Sequence, residues 1–249
     1  MIKISDTEYF SNDKTIRFLN MDCNEFMAQC KENEFDFNLS DPPYGIGFSD
    51  YERVSSGIKT KERHTKNGKK KWDDFIPSDA MFETIQKTSK EQIIFGGNYF
   101  KYLAKVESPN LKTISQFKEY ISTSNENWLF WYKQNPVPNF ADGELAWLSK
   151  NLQPTQIDFR YYGNLEGNSS TVEKIHPTQK PVDLYRMILC KYTTPSNTIL
   201  DCFGGSMSNA IACHMERRNL TIIELDVDYF KSALKRFETY ERQMTLFSF

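Results

Sequence analysis

The chain has no long apolar stretch. Within its 249 residues there is no run of about 18 apolar side chains, and the start lacks the basic and then apolar pattern of a secretory signal. We therefore expect a soluble, cytoplasmic protein. A chain of this length can bury a large core within a single domain.

Cysteine and histidine are scarce and scattered. The five cysteines form no CxxC pair, and they are Cys23, Cys30, Cys190, Cys202 and Cys213. The three histidines are also far apart. Because the cysteines are scattered and lie inside predicted secondary structure, we expect reduced thiols in the core rather than disulfides or zinc. We predict no metal.

The chain also lacks a strong net charge, which is -2 at pH 7, so composition alone does not indicate a nucleic-acid-binding protein. The charge is unevenly distributed. Residues 53–71 hold eight basic side chains and Glu62 as the only acid, a net charge of +7 that leaves -9 elsewhere. The basic residues are Arg53, Lys59, Lys61, Arg63, Lys66, Lys69, Lys70 and Lys71. This segment, in a loop predicted over residues 46–73, is the best candidate for binding phosphates.

Two common phosphate-binding signatures are missing. Neither GxGxxG nor GxxxxGK[ST] occurs, which argues against dinucleotide and nucleoside triphosphate sites. Residues 198–216 nevertheless predict a strand, a turn at Gly204-Gly205-Ser206 and a helix from about Met207. This arrangement is the first unit of a Rossmann-like site, where the backbone approaches a ligand closely.

The next predicted strand, residues 220–224, ends on Glu224, 19 residues after Gly205. A carboxylate at that point can accept two hydrogen bonds from a ribose diol. Glu224 could instead cap the following helix, although Asp226 is better placed for that role.

Hydrophobic patterning predicts an α/β protein with a mostly parallel, twisted sheet and helices on both faces. The predicted strands are residues 15–19, 35–39, 92–95, 127–133, 156–162, 198–201 and 220–224. The predicted helices are residues 23–32, 78–89 with Ser78 as N-cap, 116–121, 182–192 and 207–216.

The stretch Asp41-Pro42-Pro43-Tyr44 follows the strand at 35–39. Two successive prolines cannot continue a strand or a helix, so the chain must turn at the carboxyl end of the strand. Open α/β sheets hold their sites at such ends. The stiff backbone fixes the Asp41 carboxylate and the Asp41 and Pro42 carbonyls as acceptors, and Tyr44 adds a flat stacking surface. This set suits the exocyclic amine of a planar base, although Asp-Pro-Pro also occurs at ordinary strand exits.

Asp-Pro-Pro-Tyr resembles the catalytic motif of the amino-group DNA methyltransferases, which transfer a methyl group from S-adenosylmethionine (AdoMet) to adenine or cytosine amines. The turn Gly96-Gly97-Asn98-Tyr99-Phe100 and the segment His176-Pro177-Thr178-Gln179-Lys180-Pro181 are similar to further segments of that family. The catalytic half comes first and the AdoMet half last, an order similar to that of the circularly permuted beta group. The resemblance covers about residues 15–240 and implies a Rossmann-like methyltransferase fold with permuted order.

The resemblance also implies roles for individual residues. Catalysis would fall to Asp41, Pro42, Pro43 and Tyr44, and aspartate in first position implies adenine rather than cytosine as the target. AdoMet would be bound by Asp22, Thr178, Lys180, Asp201, Phe203, Gly205, Ser206 and Glu224. Of these, Thr178 and Lys180 would meet the methionine carboxylate. Asp22 would contact the AdoMet adenine, unless it simply caps the helix that follows.

The basic residues of the loop would neutralise DNA phosphates beside a flipped base. Residues 150–175 would form a short target-recognition region, and residues 103–126 are an insertion without an assigned role. The family's glycine turn runs Phe-x-Gly-Ser-Gly and has its last glycine where this chain has Met207, so the Met207 side chain must point away from AdoMet or the turn must shift.

The C-terminal tail, residues 241–249, contains Gln243, Leu246 and Phe247 in a pattern that resembles a bacterial sliding-clamp-binding peptide. Packing of this tail on its own domain is the alternative. We expect the protein to be a nucleoid-associated adenine DNA methyltransferase, and the family resemblance implies restriction-modification as its setting. The alternatives are methylation of the cytosine amine and a catalytically silent DNA-binding module that does not hold AdoMet. RNA and protein glutamine are less favoured substrates.

Overall fold

The computed structural model describes residues 1–45, 75–108, 110–135, 140–162, 165–166, 175–176 and 178–246. The strands are β1 (Ile2–Lys3), β2 (Glu8–Phe10), β3 (Ile16–Leu19), β4 (Phe35–Ser40), β5 (Ser89–Phe95), β6 (Asn127–Tyr132), β7 (Gly143–Leu148), β8 (Thr155–Asp158), β9 (Tyr161–Tyr162), β10 (Leu165–Glu166), β11 (Thr198–Asp201) and β12 (Asn219–Ile223). The helices are α1 (Cys23–Met27), α2 (Asp79–Thr88), α3 (Lys101–Ala104), α4 (Ile114–Thr123), α5 (Val182–Tyr192), α6 (Ser208–Met215) and α7 (Val227–Leu246).

Ten of these strands form one sheet in the order β1-β2-β3-β12-β11-β4-β5-β7-β6-β8. Its centre, from β3 to β5, is parallel throughout, whereas β2 and β7 run antiparallel to their neighbours β3 and β5. The small pair β9 and β10 lies apart from this sheet. The predicted α/β class with a mostly parallel sheet is confirmed.

The spatial order of the strands differs from their order in the chain. Strand β4 pairs with β11, which comes far later in the sequence, through the partners Ile199 with Phe37 and Leu200 with Asn38. The chain continues from β4 through α2 to β5 on one side, and from β11 through α6 to β12 on the other. The direction of winding therefore reverses between β4 and β11, which is where such sheets leave a crevice for ligands.

Two apolar cores cover the two faces of the sheet. On β5, Ile93 and Phe95 point into a core shared with α5, α6 and α7, while Ile94 points into a core shared with α1, α2 and α3. Since side chains alternate along a strand, a strand covered on both sides tends to carry apolar residues at successive positions. This explains the apolar runs Ile93-Ile94-Phe95 on β5, Ile199-Leu200 on β11 and Ile222-Ile223 on β12.

Several element boundaries differ from the predictions. Helix α1 ends at Met27 rather than near residue 32, because the chain turns through Asn33 with φ of 55° and hydrogen bonds to Lys87 of α2. The strand predicted at 156–162 is split into β8 and β9. Helix α5 spans the predicted residues, and Ser78 caps α2 by accepting from the Met81 N–H.

The predicted C-terminal tail is helical where it is described, because α7 continues to Leu246. The Glu241 carboxylate is buried and accepts a hydrogen bond of 2.6 Å from the Asn12 N–H. An ion pair of 2.9 Å between Arg242 and Glu238, one turn apart, supports the helix beyond it. Within the described ranges, no helix combines the length and apolar character needed to cross a membrane.

Candidate active site

The carboxyl ends of β4 and β11 are joined by direct hydrogen bonds. The Cys202 N–H donates to the Ser40 hydroxyl at 3.1 Å, and the Asn209 side chain of α6 donates to the Leu39 carbonyl at 3.2 Å. Both bonds are buried. They fix the start of the Asp41 turn beside the glycine turn that follows β11, so the two halves of the predicted site meet at the crevice.

Asp41 sits in a cluster of polar groups drawn from distant parts of the chain. Its Oδ1 accepts hydrogen bonds from Lys180 Nζ at 2.6 Å and from the Tyr44 hydroxyl at 2.7 Å. Lys180 Nζ also lies 3.2 Å from the Tyr44 hydroxyl oxygen. Charge-assisted bonds of this length hold the carboxylate in one orientation.

The Lys180 ammonium is almost completely enclosed, with 6% of the residue exposed. It lies 4.5 Å from the centre of the Phe95 ring and 5.6 Å from that of Tyr44. Burial acts to lower its pKa, but the carboxylates of Asp41 and Glu144 outweigh burial and hold that pKa above the ordinary value. Lys180 is therefore a permanent positive charge against Asp41.

Sequence reasoning missed two residues of this cluster, Glu144 on β7 and Lys133 just after β6. Lys133 Nζ pairs with Glu144 Oε1, and Glu144 Oε2 lies 3.2 Å from Lys180 Nζ. Burial favours the neutral acid, yet the two lysines prevail and lower the pKa of Glu144 to about 2. Glu144 is the one residue of β7 that is not fully buried, and a lone carboxylate in an apolar strand was the available signal.

Tyr44 is held by the turn that follows β5. Its ring stacks on Tyr99 with centroids 4.8 Å apart and planes 9° apart. Gly96 has φ of 66°, and a Cβ there would lie 2.1 Å from Tyr44 Cε1. Glycine is thus required both by the left-handed backbone and by the closeness of the ring. The expected stacking of a base on the Tyr44 ring stays a prediction.

The glycine turn after β11 combines one closely packed position and one open position. A Cβ at Gly204 would lie 3.1 Å from the Ile223 carbonyl oxygen, whereas at Gly205, with φ of 48°, its nearest neighbour would be 3.9 Å away. The Gly205 N–H donates to Glu224 Oε2 at 2.7 Å. The surface of Gly205 is therefore open enough for a ligand to approach the backbone.

Met207 adopts a left-handed conformation, with φ of 55°, immediately before α6. Its side chain is fully buried in the core shared with α5 and α7. It therefore points away from the glycine turn, which is the arrangement that a non-glycine residue at this position requires. Asp226 caps α7 by accepting from the N–H groups of Asp228 and Tyr229 at 2.9 and 3.0 Å.

Asp201 is 1% exposed, and its carboxylate accepts bonds from the Phe203 N–H at 3.0 Å and the Asn209 side chain at 2.9 Å. Burial raises the pKa of Asp201 to about 7 against these two bonds. The Ser206 hydroxyl is buried 3.1 Å from that of Ser208. These side chains brace the turn, and their contact with AdoMet stays a prediction.

Asp22 caps α1 by accepting from the Asn24 N–H at 2.7 Å, as the simpler of its two interpretations predicts. The Thr178 hydroxyl lies 3.2 Å from His176 Nδ1, and burial, followed by the Lys180 charge, lowers the pKa of His176 to about 4. The expected roles of Asp22, Thr178 and Lys180 towards AdoMet are not tested by these contacts and stay predictions.

Several predicted residues lie outside the described ranges. They include the eight basic residues of the loop, Arg53, Lys59, Lys61, Arg63, Lys66, Lys69, Lys70 and Lys71, together with Pro177 and Phe247. Part of the 150–175 region is likewise outside, although β8, β9 and β10 belong to it. Gln243 is exposed on α7. The described ranges contain no group of three or more His, Cys, Asp or Glu residues arranged to hold a metal.

A sequence profile of the N6/N4 DNA methylase family matches residues 35–235 of the chain. The chain belongs to this family. The methyltransferase is also similar to the Type II methyltransferase M2.MboI of Moraxella bovis, with 24% identity over 254 residues that cover 92% of this chain and 90% of that protein. The Type II methyltransferase M.HinfI of Haemophilus influenzae is 25% identical over 256 residues, which cover 90% of this chain and 69% of that one.

The fold of the methyltransferase resembles that of the solved M1.HpyAVI-SAM complex, with a TM-score of 0.51 and 20% identity over 88% of this chain and 97% of that chain. The methyltransferase thus has the AdoMet-dependent, Rossmann-like fold with its catalytic half first, as the order of its motifs predicts. It is a DNA methyltransferase that uses AdoMet as methyl donor.

Proposed function

We propose that the protein methylates the exocyclic 6-amino group of adenine at specific sites in double-stranded DNA. One observation carries this proposal: the Asp41 turn after β4 lies beside the open Gly205 turn after β11, at the point where the sheet reverses its winding. A donor and an acceptor of a methyl group can meet there. Aspartate in the first motif position favours adenine over cytosine.

The residues present fit AdoMet. The open backbone at Gly205 and the carboxylate of Glu224 beside it suit the close approach of a nucleoside. Glu224, whose two oxygens accept from the Gly205 and Asp226 N–H groups, would also accept hydrogen bonds from the ribose diol. Thr178 precedes α5 and would face the methionine end, whereas Lys180, to which the family resemblance gives the same role, is engaged by Asp41 and Tyr44. When bound, AdoMet supplies an electrophilic methyl group on a sulfonium.

Asp41 provides the acceptor for the target amine. Its Oδ1 is occupied by Lys180 and Tyr44, and among the described residues no hydrogen bond reaches Oδ2. We assign Oδ2 and the Pro42 carbonyl to the two amine hydrogens. These bonds localise the nitrogen lone pair and stabilise the positive charge that develops on the amine. The contribution of the site is positioning and fixed electrostatics.

An amine inside a duplex cannot reach Asp41, so the target base must leave the stack, and Tyr44 would provide its stacking surface. The eight basic residues of the 46–73 loop would neutralise nearby phosphates, and the 150–175 region would contribute to site recognition. A protein that acts on chromosomal DNA is expected at the nucleoid.

The end of α7 is proposed as a second binding site, separate from the DNA site, where Gln243, Leu246 and Phe247 would bind a bacterial sliding clamp. The motif itself and the exposure of Gln243 support this proposal. The last turn of α7 would have to unwind to fit an extended groove, which helix ends do at low cost. Purified clamp should retain the full chain and not a chain that lacks residues 243–249, and equal retention of both, or of neither, would contradict it.

The test of the proposed reaction is transfer of labelled methyl from AdoMet to unmethylated DNA, followed by separation of the nucleosides. We expect the label in 6-methyldeoxyadenosine, and its loss in Asp41→Ala. Label in 4-methyldeoxycytidine would keep the mechanism and overturn the choice of base. DNA binding with neither AdoMet binding nor label would favour a catalytically silent module.

A further inference from the structure

Four charged side chains form a linear network of ion pairs at the Asp41 turn. In order they are Asp41, Lys180, Glu144 and Lys133, drawn from separate segments of the sequence. Their formal charges sum to zero. Networks of this kind are expensive to bury unless every member is well paired, so each contact in it needs a reason.

One contact in the network is incomplete. Glu144 Oε1 is engaged by Lys133, but Glu144 Oε2 is buried and has no hydrogen-bond partner among the described residues. Lys180 Nζ is only 3.2 Å from it and points its bonds at Asp41 and Tyr44 instead. Glu144 therefore offers Lys180 a second acceptor that a small movement of the ammonium would reach.

We propose that Glu144 is a positioning residue for methyl transfer, anchored by Lys133, that takes over Lys180 from Asp41 when the target amine binds. In the free enzyme Lys180 orients the carboxylate and competes for its lone pairs. When the amine donates to Asp41, Lys180 shifts towards Glu144 Oε2 and the competition ends. The inference rests on Asp41 as the amine acceptor, as proposed above.

The chemistry of the network supports this assignment. The pKa of Glu144 is lowered to about 2 after burial is offset by the two lysines, so its carboxylate is charged at working pH. Phe95 and Tyr44 flank the Lys180 ammonium, with ring centres at 4.5 and 5.6 Å. A neutral group at position 144 would leave Asp41 as the only carboxylate that holds Lys180.

A double-mutant cycle tests the proposal, with Glu144→Gln, Lys180→Met and the double variant. We expect Glu144→Gln to lower the single-turnover rate at least about tenfold while the Kd for AdoMet changes less than about threefold. The double variant should be no slower than Lys180→Met, because Glu144 acts through Lys180. A wild-type rate in Glu144→Gln, or independent losses that multiply in the double variant, would overturn the proposal.

Two further variants separate positioning from stability. Glu144→Asp keeps the charge with a shorter reach, so its single-turnover rate should be at least about threefold higher than that of Glu144→Gln. Equal rates in the two variants would count against the proposal. Glu8→Gln removes a carboxylate paired with Arg17 at 2.7 Å on β2, with similar exposure, and should transfer methyl at the wild-type rate. Activity in Asp41→Ala would instead contradict the proposed function, so the two failures are distinguishable.

Discussion

At the scale of single residues, we expect each substitution in the site to lower either methyl transfer or AdoMet affinity. Gly96 and Gly205, two of the three described glycines with positive φ, illustrate this most clearly, because they share a backbone conformation and differ in what lies above them. Gly96 is covered by the Tyr44 ring, whereas a Cβ at Gly205 would meet its neighbours only at ordinary van der Waals distance.

Alanine at these two positions should therefore separate the two functions of the site. Gly96→Ala would place a methyl 2.1 Å from Tyr44 Cε1, so we expect slow methyl transfer with AdoMet affinity retained. In Gly205→Ala the new methyl meets no close protein neighbour, but it occupies the space through which AdoMet would approach the backbone. We therefore expect at least about a tenfold weaker AdoMet affinity. Both alanine variants carry about 1–2 kcal/mol of backbone strain, because alanine is unfavourable at positive φ. AdoMet titration and single-turnover assays on both variants check this, and equal effects on both quantities would contradict it.

Asp201 should make stability depend on pH. Its pKa rises from 3.8 to about 7 on folding, so between those values the native state binds more protons than the unfolded state. The stability it contributes is present at low pH and is lost as pH rises through about 7, by an amount on the order of 4 kcal/mol. Asp201→Asn cannot titrate, and its unfolding free energy should fall less between pH 5 and pH 8. Guanidinium unfolding at both pH values measures the two free energies. An equal change in unfolding free energy between pH 5 and pH 8 in the two proteins would refute the prediction.

At the scale of elements, sequence patterns predicted the strands and helices whose local signals agree with their packing. Helix α5 and the cap at Ser78 are such cases. The end of α1 was missed because a contact between Asn33 and Lys87 of α2, distant in sequence, decides it. Residues 241–246, the last part of α7, were predicted as a tail, since nothing local shows that Glu241 is buried against Asn12.

The same reason limits prediction of the site. The Asp41 turn and the glycine turn are contiguous motifs, so the sequence shows them directly. The pairing of Lys180 with Asp41 and Glu144 joins three separate segments, and no local pattern specifies it. Fold and motifs were predictable, and the charge network was not.

The junction of the glycine turn and α6 gives a prediction at this scale. Met207→Gly would remove the strain of a left-handed residue, about 1–2 kcal/mol, and also the buried side chain, which is worth more. We expect a net loss of about 2 kcal/mol in unfolding free energy, with AdoMet affinity unchanged because the side chain faces the core. Denaturant unfolding and AdoMet titration measure the two quantities. Met207→Leu, which conserves volume, is the control, and a tighter AdoMet complex in Met207→Gly would contradict the account.

At the scale of the whole molecule, charge is divided between a basic segment and an acidic remainder. Residues 53–71 carry +7 in a chain whose net charge is -2, so DNA affinity should depend on that segment. Each phosphate contact contributes about 0.9 to the slope of log affinity against log salt.

Replacing Lys69, Lys70 and Lys71 with serine should weaken DNA binding and reduce that slope by up to about 3. Fluorescence anisotropy on a labelled duplex over a range of salt concentrations gives the slope. Lys231→Ser with Lys235→Ser on α7 is a matched control and should leave it unchanged. An unaltered slope in the triple variant would place the phosphate contacts elsewhere.

The central claim is that Asp41 accepts the target amine at the crevice between β4 and β11. The most direct measurement is the single-turnover rate of methyl transfer by Asp41→Asn, with AdoMet affinity determined on the same protein. Asp36→Asn, a change at the opposite end of β4 where the carboxylate pairs with Lys90 at 2.8 Å, is the control. We predict a rate at least about 100-fold below wild type in Asp41→Asn, with AdoMet bound within about threefold of normal and the control active. Transfer at the wild-type rate by Asp41→Asn would contradict the claim.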